Sequence, residues 1–171
     1  KSSLPSVSKS NIKNDIKRRD FTVNSICVDL SVDSFGKIYD QQNGLKDLKE
    51  KKIRIIHNES FLDDPTRIFR AIRFSKRLNF SIDETTENLL NKSAEKINEL
   101  SGSRIINEFK KISFEKNPYE IFKELNDKNI LSIISPHLSL NYKKEKVKQI
   151  YNLVKFQDPL EFWFNILTKN V

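Results

Sequence analysis

Two adjacent aspartates stand directly before three regularly spaced arginines in one short segment of the chain. Asp63 and Asp64 are followed by Arg67, Arg70 and Arg73. In an α-helix, which turns by about 100° per residue, Asp63, Arg67 and Arg70 would project within an arc of about 60°. Asp64 and Arg73 would flank that arc. The spacing therefore predicts one helix face with carboxylate oxygens beside several guanidinium groups.

This pair of chemical groups can distinguish nucleotide bases. A guanidinium donates to a ring nitrogen acceptor, and a carboxylate accepts from an exocyclic amino group. Cytosine and adenine both offer an acceptor next to an amino donor, whereas uracil and guanine reverse that edge. The remaining arginines suit a triphosphate. The alternative is a solvated helix, capped by Asp64 and carrying ordinary ion pairs.

A second charged segment begins at Arg18. Arg18, Arg19 and Asp20 run directly into the apolar stretch that starts at Phe21. A rigid neighbour is what a ligand site requires, so Arg19 is a candidate to meet phosphate and Asp20 to accept from a ribose hydroxyl. The alternative is a turn with a local ion pair.

Composition favours a polyanionic partner. The chain has 31 lysines and arginines against 23 aspartates and glutamates, a formal net charge of +8. Such an excess suits nucleic acid or an anionic membrane surface, and the alternative is a basic protein without either partner. No apolar run approaches the roughly 20 residues of a membrane helix. Cys27 is the one cysteine, which excludes an internal disulfide, so a cytoplasmic protein is expected.

The pattern of elements predicts an α+β chain. Residues 26–40 are expected to form a β-hairpin, 45–51 a short helix and 53–57 a further strand, and these strands are expected to need partners from outside the chain. From Asp64-Pro65 onward the pattern is helical. Ser81 and Glu84 match a capping box. The predicted helices end near Leu78 and then cover 84–99, 103–115, 118–128, 143–156 and 159–169.

The C-terminal aromatic residues are expected in the core, with base stacking as the alternative. They are Tyr151, Phe156, Phe162, Trp163 and Phe164. Lysines between 143 and 148 are expected on a solvated helix face, with phosphate contact as the alternative.

Several motifs in fixed order resemble the family of class II tRNA nucleotidyltransferases and bacterial poly(A) polymerases. The Arg18–Ser25 stretch resembles its ribose-contacting motif, and the 63–74 segment resembles its base-reading helix. The stretches 35–40, 43–48 and 53–54 resemble its linker between head and neck, and 103–109 resembles the neck motif that follows. The resemblance extends over about residues 4–125.

The resemblance implies a division into the end of a nucleotidyltransferase head (1–57), a base-reading neck (58–116) and the start of a helical body (117–171). It implies that the chain is the nucleotide-selecting part of an enzyme that adds C, A or both to the 3′ end of tRNA, using CTP and ATP. The implied nucleotide-binding residues are Arg19, Asp20, Asp63, Asp64, Arg67, Arg70 and Arg73. Many members have Glu at the position of Asp63, so the reach of this carboxylate differs.

The family's Gly-Gly segment and its Asp-x-Asp pair, which holds Mg²⁺, have no match in this sequence. Asp29 and Asp33 are not assigned as metal ligands. The resemblance therefore implies that Mg²⁺ is bound by residues outside this chain and that no catalytic residue lies within it. A poly(A) polymerase is the alternative within the family, and a non-catalytic RNA-binding module is the alternative of another class. The RNA acceptor and the oligomeric state stay open.

Overall fold

The computed structural model describes residues 11–154 and 156–168, and it is mostly helical with two small sheets. In chain order, the described helices and strands are α1 Ile12–Lys17, β1 Cys27–Val28, β2 Ile38–Tyr39, α2 Gly44–Glu50, β3 Lys52–Ile53, α3 Ser60–Asp63, α4 Thr66–Leu78, β4 Ser81–Ile82, α5 Glu84–Ser93, α6 Gly102–Ser113, α7 Pro118–Asp127, α8 Ile130–Ile134, α9 Lys144–Leu153 and α10 Pro159–Leu167. Short 3₁₀ turns cover Thr22–Asn24, Val32–Ser34 and Ala94–Glu99. The predicted α+β class is confirmed.

The predicted hairpin is present, but the pairing of the next strand was missed. β1 and β2 pair antiparallel, with Cys27 opposite Tyr39. β3 pairs in parallel with β4, a segment that had been interpreted as a capping box. The expectation that all strands need partners from outside the chain was therefore wrong for β3. The long sequence separation between Lys52 and Ser81 hid this pairing.

Proline determines where α4 begins. Pro65 disfavours helical backbone at the residue before it, and Asp64 accordingly adopts φ −148° and ψ 97°. The helix then runs from Thr66 to Leu78 and is capped by Asn79, which takes the left-handed conformation. On the apolar face of this helix, the side chains of Ile68, Phe69 and Ile72 are fully buried. Burial of such side chains stabilises the fold by about 1.5–3 kcal/mol each.

Aromatic rings connect α4 to the helices that follow. Phe69 meets Phe109 of α6 edge to face at 6.2 Å, and Phe109 meets Phe122 of α7 at 5.4 Å. Phe122 lies 4.7 Å from Trp163 of α10. Each such pair adds about 0.5–1.5 kcal/mol beyond its buried area. The core placement predicted for Trp163 and Phe162 is confirmed, because both are buried.

Other C-terminal predictions differ in detail. Tyr151 is exposed, although its ring contacts that of Phe162 at 5.1 Å. Phe156 and Phe164 are half-buried against the core. The lysines of α9 are exposed, whereas Val147 is buried among them. The exposed lysine face is therefore as predicted, and phosphate contact by these lysines stays an open alternative.

Three predictions of helix boundaries need correction, one of them the helix over 143–156, which runs only from Lys144 to Leu153. Asp83, not Ser81, caps α5 by accepting from the backbone N–H of Thr86. The predicted helix over 84–99 ends at Ser93 and continues as the 3₁₀ turn. The short α8 was not predicted. Residues 1–10, 155 and 169–171 fall within predicted segments and lie outside the described residues.

The predicted boundary between the head and the neck at residue 57 stays a prediction. Contacts cross it: β3 pairs with β4, and Nη1 of Arg54 lies 2.8 Å from Oδ1 of Asp83. None of the helices in the described ranges is both long and apolar enough to cross a membrane.

Candidate nucleotide-binding site

A cavity of about 570 Å³ opens where the Arg18–Asn24 segment meets one face of α4. Five arginines line it against two aspartates. The lining residues are Arg18, Arg19, Asp20, Asn24, Asp64, Arg67, Arg70, Phe74 and Arg77. The volume lies within the range of small-molecule sites, about 300–1,000 Å³. The two segments that were singled out from the sequence therefore meet around one strongly basic cavity.

The 18–24 segment is seated rigidly against α4. Phe21 is fully buried and meets Phe74 edge to face at 5.8 Å. The N–H of Thr22 donates to the carbonyl of Arg54 at 2.9 Å. Gly44 packs so closely that an added Cβ would lie 2.2 Å from the carbonyl oxygen of Thr22. These contacts fix the backbone that carries Arg19 and Asp20.

Asp20 holds Arg70 in the cavity wall. Its Oδ2 accepts from Nε of Arg70 at 2.7 Å, and Nη2 of Arg70 lies 2.5 Å from the same oxygen. Its Oδ1 accepts from the N–H of Phe21 and from Nδ2 of Asn24, both at 3.0 Å. Both carboxylate oxygens are thus engaged in a nearly buried group. The ribose contact predicted for Asp20 stays a prediction, and the contact that the structure supplies is with Arg70.

Arg67 lies in the first turn of α4, Asp64 precedes that helix by two residues, and both line the cavity. Arg67 donates from Nη1 to Oγ of Ser60 at 2.7 Å and from Nη2 to the carbonyl of Arg18 at 2.7 Å. Among the described residues, its Nε has no partner. Asp64 accepts through Oδ1 from Oγ1 of Thr66 at 2.7 Å. A donor and an acceptor without a partner among the described residues therefore remain on two residues that line the cavity.

Asp15 gathers the two arginines at the cavity mouth. Its oxygens accept from Arg18 at 2.5 Å and from Arg19 at 2.9 Å. These hydrogen bonds, that of Arg18 first and that of Arg19 second, hold the pKa of Asp15 below its ordinary value. Arg19 also donates to the carbonyl of Asn24 at 2.9 Å. Asp15 was not recognised as part of the site, although its spacing of one helical turn was a usable signal.

The aromatic ring of Phe74 contacts the guanidinium groups of three arginines of α4. The guanidinium carbons of Arg70, Arg73 and Arg77 lie 5.3, 5.2 and 4.4 Å from the ring centroid. Cation–π contacts of this kind orient guanidinium groups and contribute about 0.5–2 kcal/mol. Arg77 was missed, although it follows Arg70 by seven residues and so lies on the same face.

Two of the predicted nucleotide-binding residues, Asp63 and Arg73, do not line the cavity. Asp63 belongs to α3, before the break at Pro65, so the predicted single arc with Arg67 and Arg70 was wrong. Its Oδ2 lies 3.5 Å from Nε2 of His57, and its side chain is exposed. Arg73 is buried, and its Nη1 lies 3.0 Å from Oε1 of Glu115. That partner lies beyond the end of α6, where no local pattern points to it.

No three His, Cys, Asp or Glu side chains are grouped to hold a metal ion within 11–154 and 156–168. Asp29 instead closes the hairpin turn. It accepts from Oγ of Ser34 at 2.6 Å, from the N–H of Ser31 at 2.8 Å and from the hydroxyl of Tyr39 at 3.2 Å. These bonds, that of Ser34 first, hold the pKa of Asp29 well below its ordinary value.

Two family models match the parts of the chain before and after α4, and both describe regions of poly(A) polymerase. Residues 2–54 match the family described as "Poly A polymerase head domain", and residues 79–141 match "Probable RNA and SrmB- binding site of polymerase A". The chain belongs to the class II tRNA nucleotidyltransferase and poly(A) polymerase family. The family resemblance found in the sequence is confirmed.

Individual members of this family support the same conclusion. The chain is 39% identical over 166 residues to an A-adding tRNA nucleotidyltransferase of Geobacter sulfurreducens, covering 96% of this chain and 18% of that protein. It is 32% identical over 170 residues to an A-adding tRNA nucleotidyltransferase of Halalkalibacterium halodurans, covering 96% of this chain and 39% of that protein. The chain thus spans well under half the length of these curated relatives.

Solved structures of family members share the fold. A Thermotoga maritima CCA-adding enzyme in complex with tRNA matches with a TM-score of 0.82 at 34% identity, covering 91% of this chain and 40% of that one. A tRNA-processing enzyme with CTP matches with a TM-score of 0.81 at 33% identity, covering 92% and 47%.

Proposed function

We propose that the whole protein is an RNA 3′-terminal nucleotidyltransferase that adds C, A or both to tRNA, and that this chain selects the incoming nucleotide. The observation that carries the proposal is the basic cavity that both Asp64 and Arg67 line. The relatives named for A-addition and for CCA-addition support it, as do the related structures that hold CTP and tRNA.

The polar atoms without partners in the cavity indicate which residues read the base and which bind the triphosphate. Oδ2 of Asp64 accepts from the amino group of cytosine or adenine, and Nε of Arg67 donates to the neighbouring ring nitrogen. Uracil and guanine present a carbonyl oxygen and a ring N–H instead, so both contacts become repulsive or unpaired. Arg18, Arg19 and Arg77 are partly exposed and suit the triphosphate.

The seven residues proposed from the family therefore divide by position. Arg19, Asp64, Arg67 and Arg70 contact the nucleotide, and Asp20 positions Arg70. Asp63 lies near His57 and Arg73 pairs with Glu115, and neither residue lines the cavity. Mg²⁺ would be held by residues outside this chain, would activate the attacking hydroxyl and would stabilise the leaving pyrophosphate. A reducing cytoplasm is the proposed compartment.

Equilibrium binding tests the selection role directly. The 171-residue chain is titrated with CTP, ATP, UTP and GTP by calorimetry, with circular dichroism as the folding control. We expect preference for CTP, ATP or both, and loss of about 10-fold or more in affinity for Arg67→Gln and Arg70→Gln, since each removes a charged hydrogen-bond donor. Lys92→Ala, an exposed change on α5, is the matched control. Equal binding of all four nucleotides by the unaltered chain would sink the proposal.

Product analysis with the whole protein separates the two family activities. A tRNA that lacks its 3′ terminus gives a defined stop with a C- or A-adding enzyme and a long A tail with a poly(A) polymerase. Sequencing of the product ends measures the difference.

RNA binding without catalysis is the second candidate, favoured by the match of residues 79–141 to a family described as an RNA-binding site. Titration of tRNA against salt tests it. Contact with several phosphates requires affinity to fall steeply as salt rises. Tight, salt-sensitive tRNA binding together with an absence of nucleotide addition by the whole protein would favour this candidate.

A further inference from the structure

Three donors converge on one oxygen of Asp64. Its Oδ1 accepts from the N–H of Thr66 at 3.0 Å, from Oγ1 of Thr66 at 2.7 Å and from Nη2 of Arg104 at 2.7 Å. Its Oδ2 has no partner among the described residues. The carboxylate is therefore anchored through one oxygen, and the other is left as a free acceptor.

Arg104 reaches Asp64 from a different helix. It lies near the start of α6, 40 residues along the chain from Asp64. Two residues beyond the other end of that helix, Glu115 pairs with Arg73 of α4. Ion pairs near the start of α6 and just after its end thus join it to Asp64 and to α4, and Phe109 packs against Phe69 between them. Rotation of the Asp64 carboxylate is restrained by this packing and not only by the local turn at Thr66.

A restrained carboxylate discriminates better than a freely rotating one. With Oδ1 occupied, the group cannot turn away from a base that presents a carbonyl oxygen instead of an amino group. The mismatched base then leaves two acceptors facing each other without a proton between them, which costs far more than a lost contact.

We propose that Arg104 is a positioning residue for base selection, which fixes Asp64 so that a single oxygen reads the amino group of cytosine or adenine. Arg104 itself lies outside the cavity that holds the nucleotide. It lines a neighbouring cavity of about 320 Å³ that shares Asp64 and Arg70 as a wall. The inference rests on the proposed function, because it assigns the origin of selectivity within the same site.

The test compares the preference for CTP over UTP, measured as a ratio of dissociation constants by calorimetry with the 171-residue chain. Arg104→Ala is expected to lower this ratio by about 10-fold, the equivalent of one lost specific hydrogen bond, mainly by tightening UTP. Arg104→Lys keeps the charge but loses the planar fork, so an intermediate ratio is expected. Lys110→Ala is the matched control, because it removes an exposed positive charge from the same helix.

A double variant separates positioning from general loss of structure. In an Asp64→Asn background, Arg104→Ala is expected to change the ratio no further, whereas a structural defect would weaken both nucleotides alike. Thermal unfolding of each variant shows that the fold persists, and Arg104→Lys serves if Arg104→Ala unfolds. A preference that survives in both Arg104 variants overturns the role of Arg104 alone. Absence of any preference in the unaltered chain overturns the proposed function with it.

Discussion

Replacement of Arg73 by methionine tests whether this arginine stabilises the fold or binds nucleotide. The ion pair of Arg73 with Glu115 is nearly buried, with side-chain exposures of 9% and 11%. Removal of one partner leaves a charge stranded away from water, which costs about 3–5 kcal/mol. Nη1 of Arg77 lies 3.8 Å from the same Glu115 oxygen and offers partial compensation. Nε of Arg73 is buried without a partner, so removal of the guanidinium also relieves one unfavourable group.

Both corrections act in the same direction, so the expected loss for Arg73→Met is about 3 kcal/mol, the low end of the range. Urea unfolding of the 171-residue chain, followed by circular dichroism, measures it. Glu115→Leu should cost a similar amount, because it strands Arg73. The double variant should be more stable than the sum of the single effects implies, by at least about 1 kcal/mol.

The affinity of the Arg73→Met variant for CTP is measured as well, to test the alternative that Arg73 binds nucleotide. Arg73 lies outside the cavity, so Arg73→Met should leave CTP affinity within about 2-fold at temperatures where the variant is folded. A loss of stability below about 1 kcal/mol together with a large loss of CTP affinity would refute the structural role. Strict additivity of the two single effects would also contradict it.

Two further predictions concern the segment before α4. Gly44→Ala should destabilise the chain by about 1–3 kcal/mol, because the new methyl group overlaps the carbonyl of Thr22. Gly102→Ala is the control in urea unfolding, because a methyl group there would meet no atom within 4 Å. Equal stability of the two variants would contradict the close packing of Gly44 against Thr22. The pKa of Asp29 is lowered in the folded state, so its stabilising effect is complete above the ordinary carboxyl pKa of about 4 and is lost as pH falls below it. Asp29→Asn should therefore flatten the decline of melting temperature between about pH 4 and pH 2, and an unchanged slope would argue against the lowered pKa.

Local signals explain why much of the fold was predictable. The hairpin at 26–40 alternates β-forming residues around a turn that contains Gly36, and it formed as β1 and β2. Pro118 and Pro159 occupy the first turns of α7 and α10, as the sequence suggested. Such signals act over a few residues, so they do not depend on how the helices pack.

The break before α4 was available in the sequence but was overlooked. Pro65 disfavours helical backbone at Asp64, so Asp63 could not share a helix with Arg67. The capping box at Ser81 failed for another reason, because parallel pairing with Lys52 outweighed the local preference. When two paired strands lie far apart along the chain, neither strand's residue pattern shows which segment it pairs with.

The sequence by itself determined that two charged segments exist, that both carry arginine beside aspartate, and that one of them begins a helix. Residue types and spacings set these properties locally. Only the tertiary structure decided which side chains face the cavity: it buried Arg73 against Glu115, used Asp20 to hold Arg70 and brought Arg104 to Asp64. These partners are about 40 or 50 residues apart in sequence, so helix packing brings them together, and the same packing determines which polar atoms stay free to bind a nucleotide.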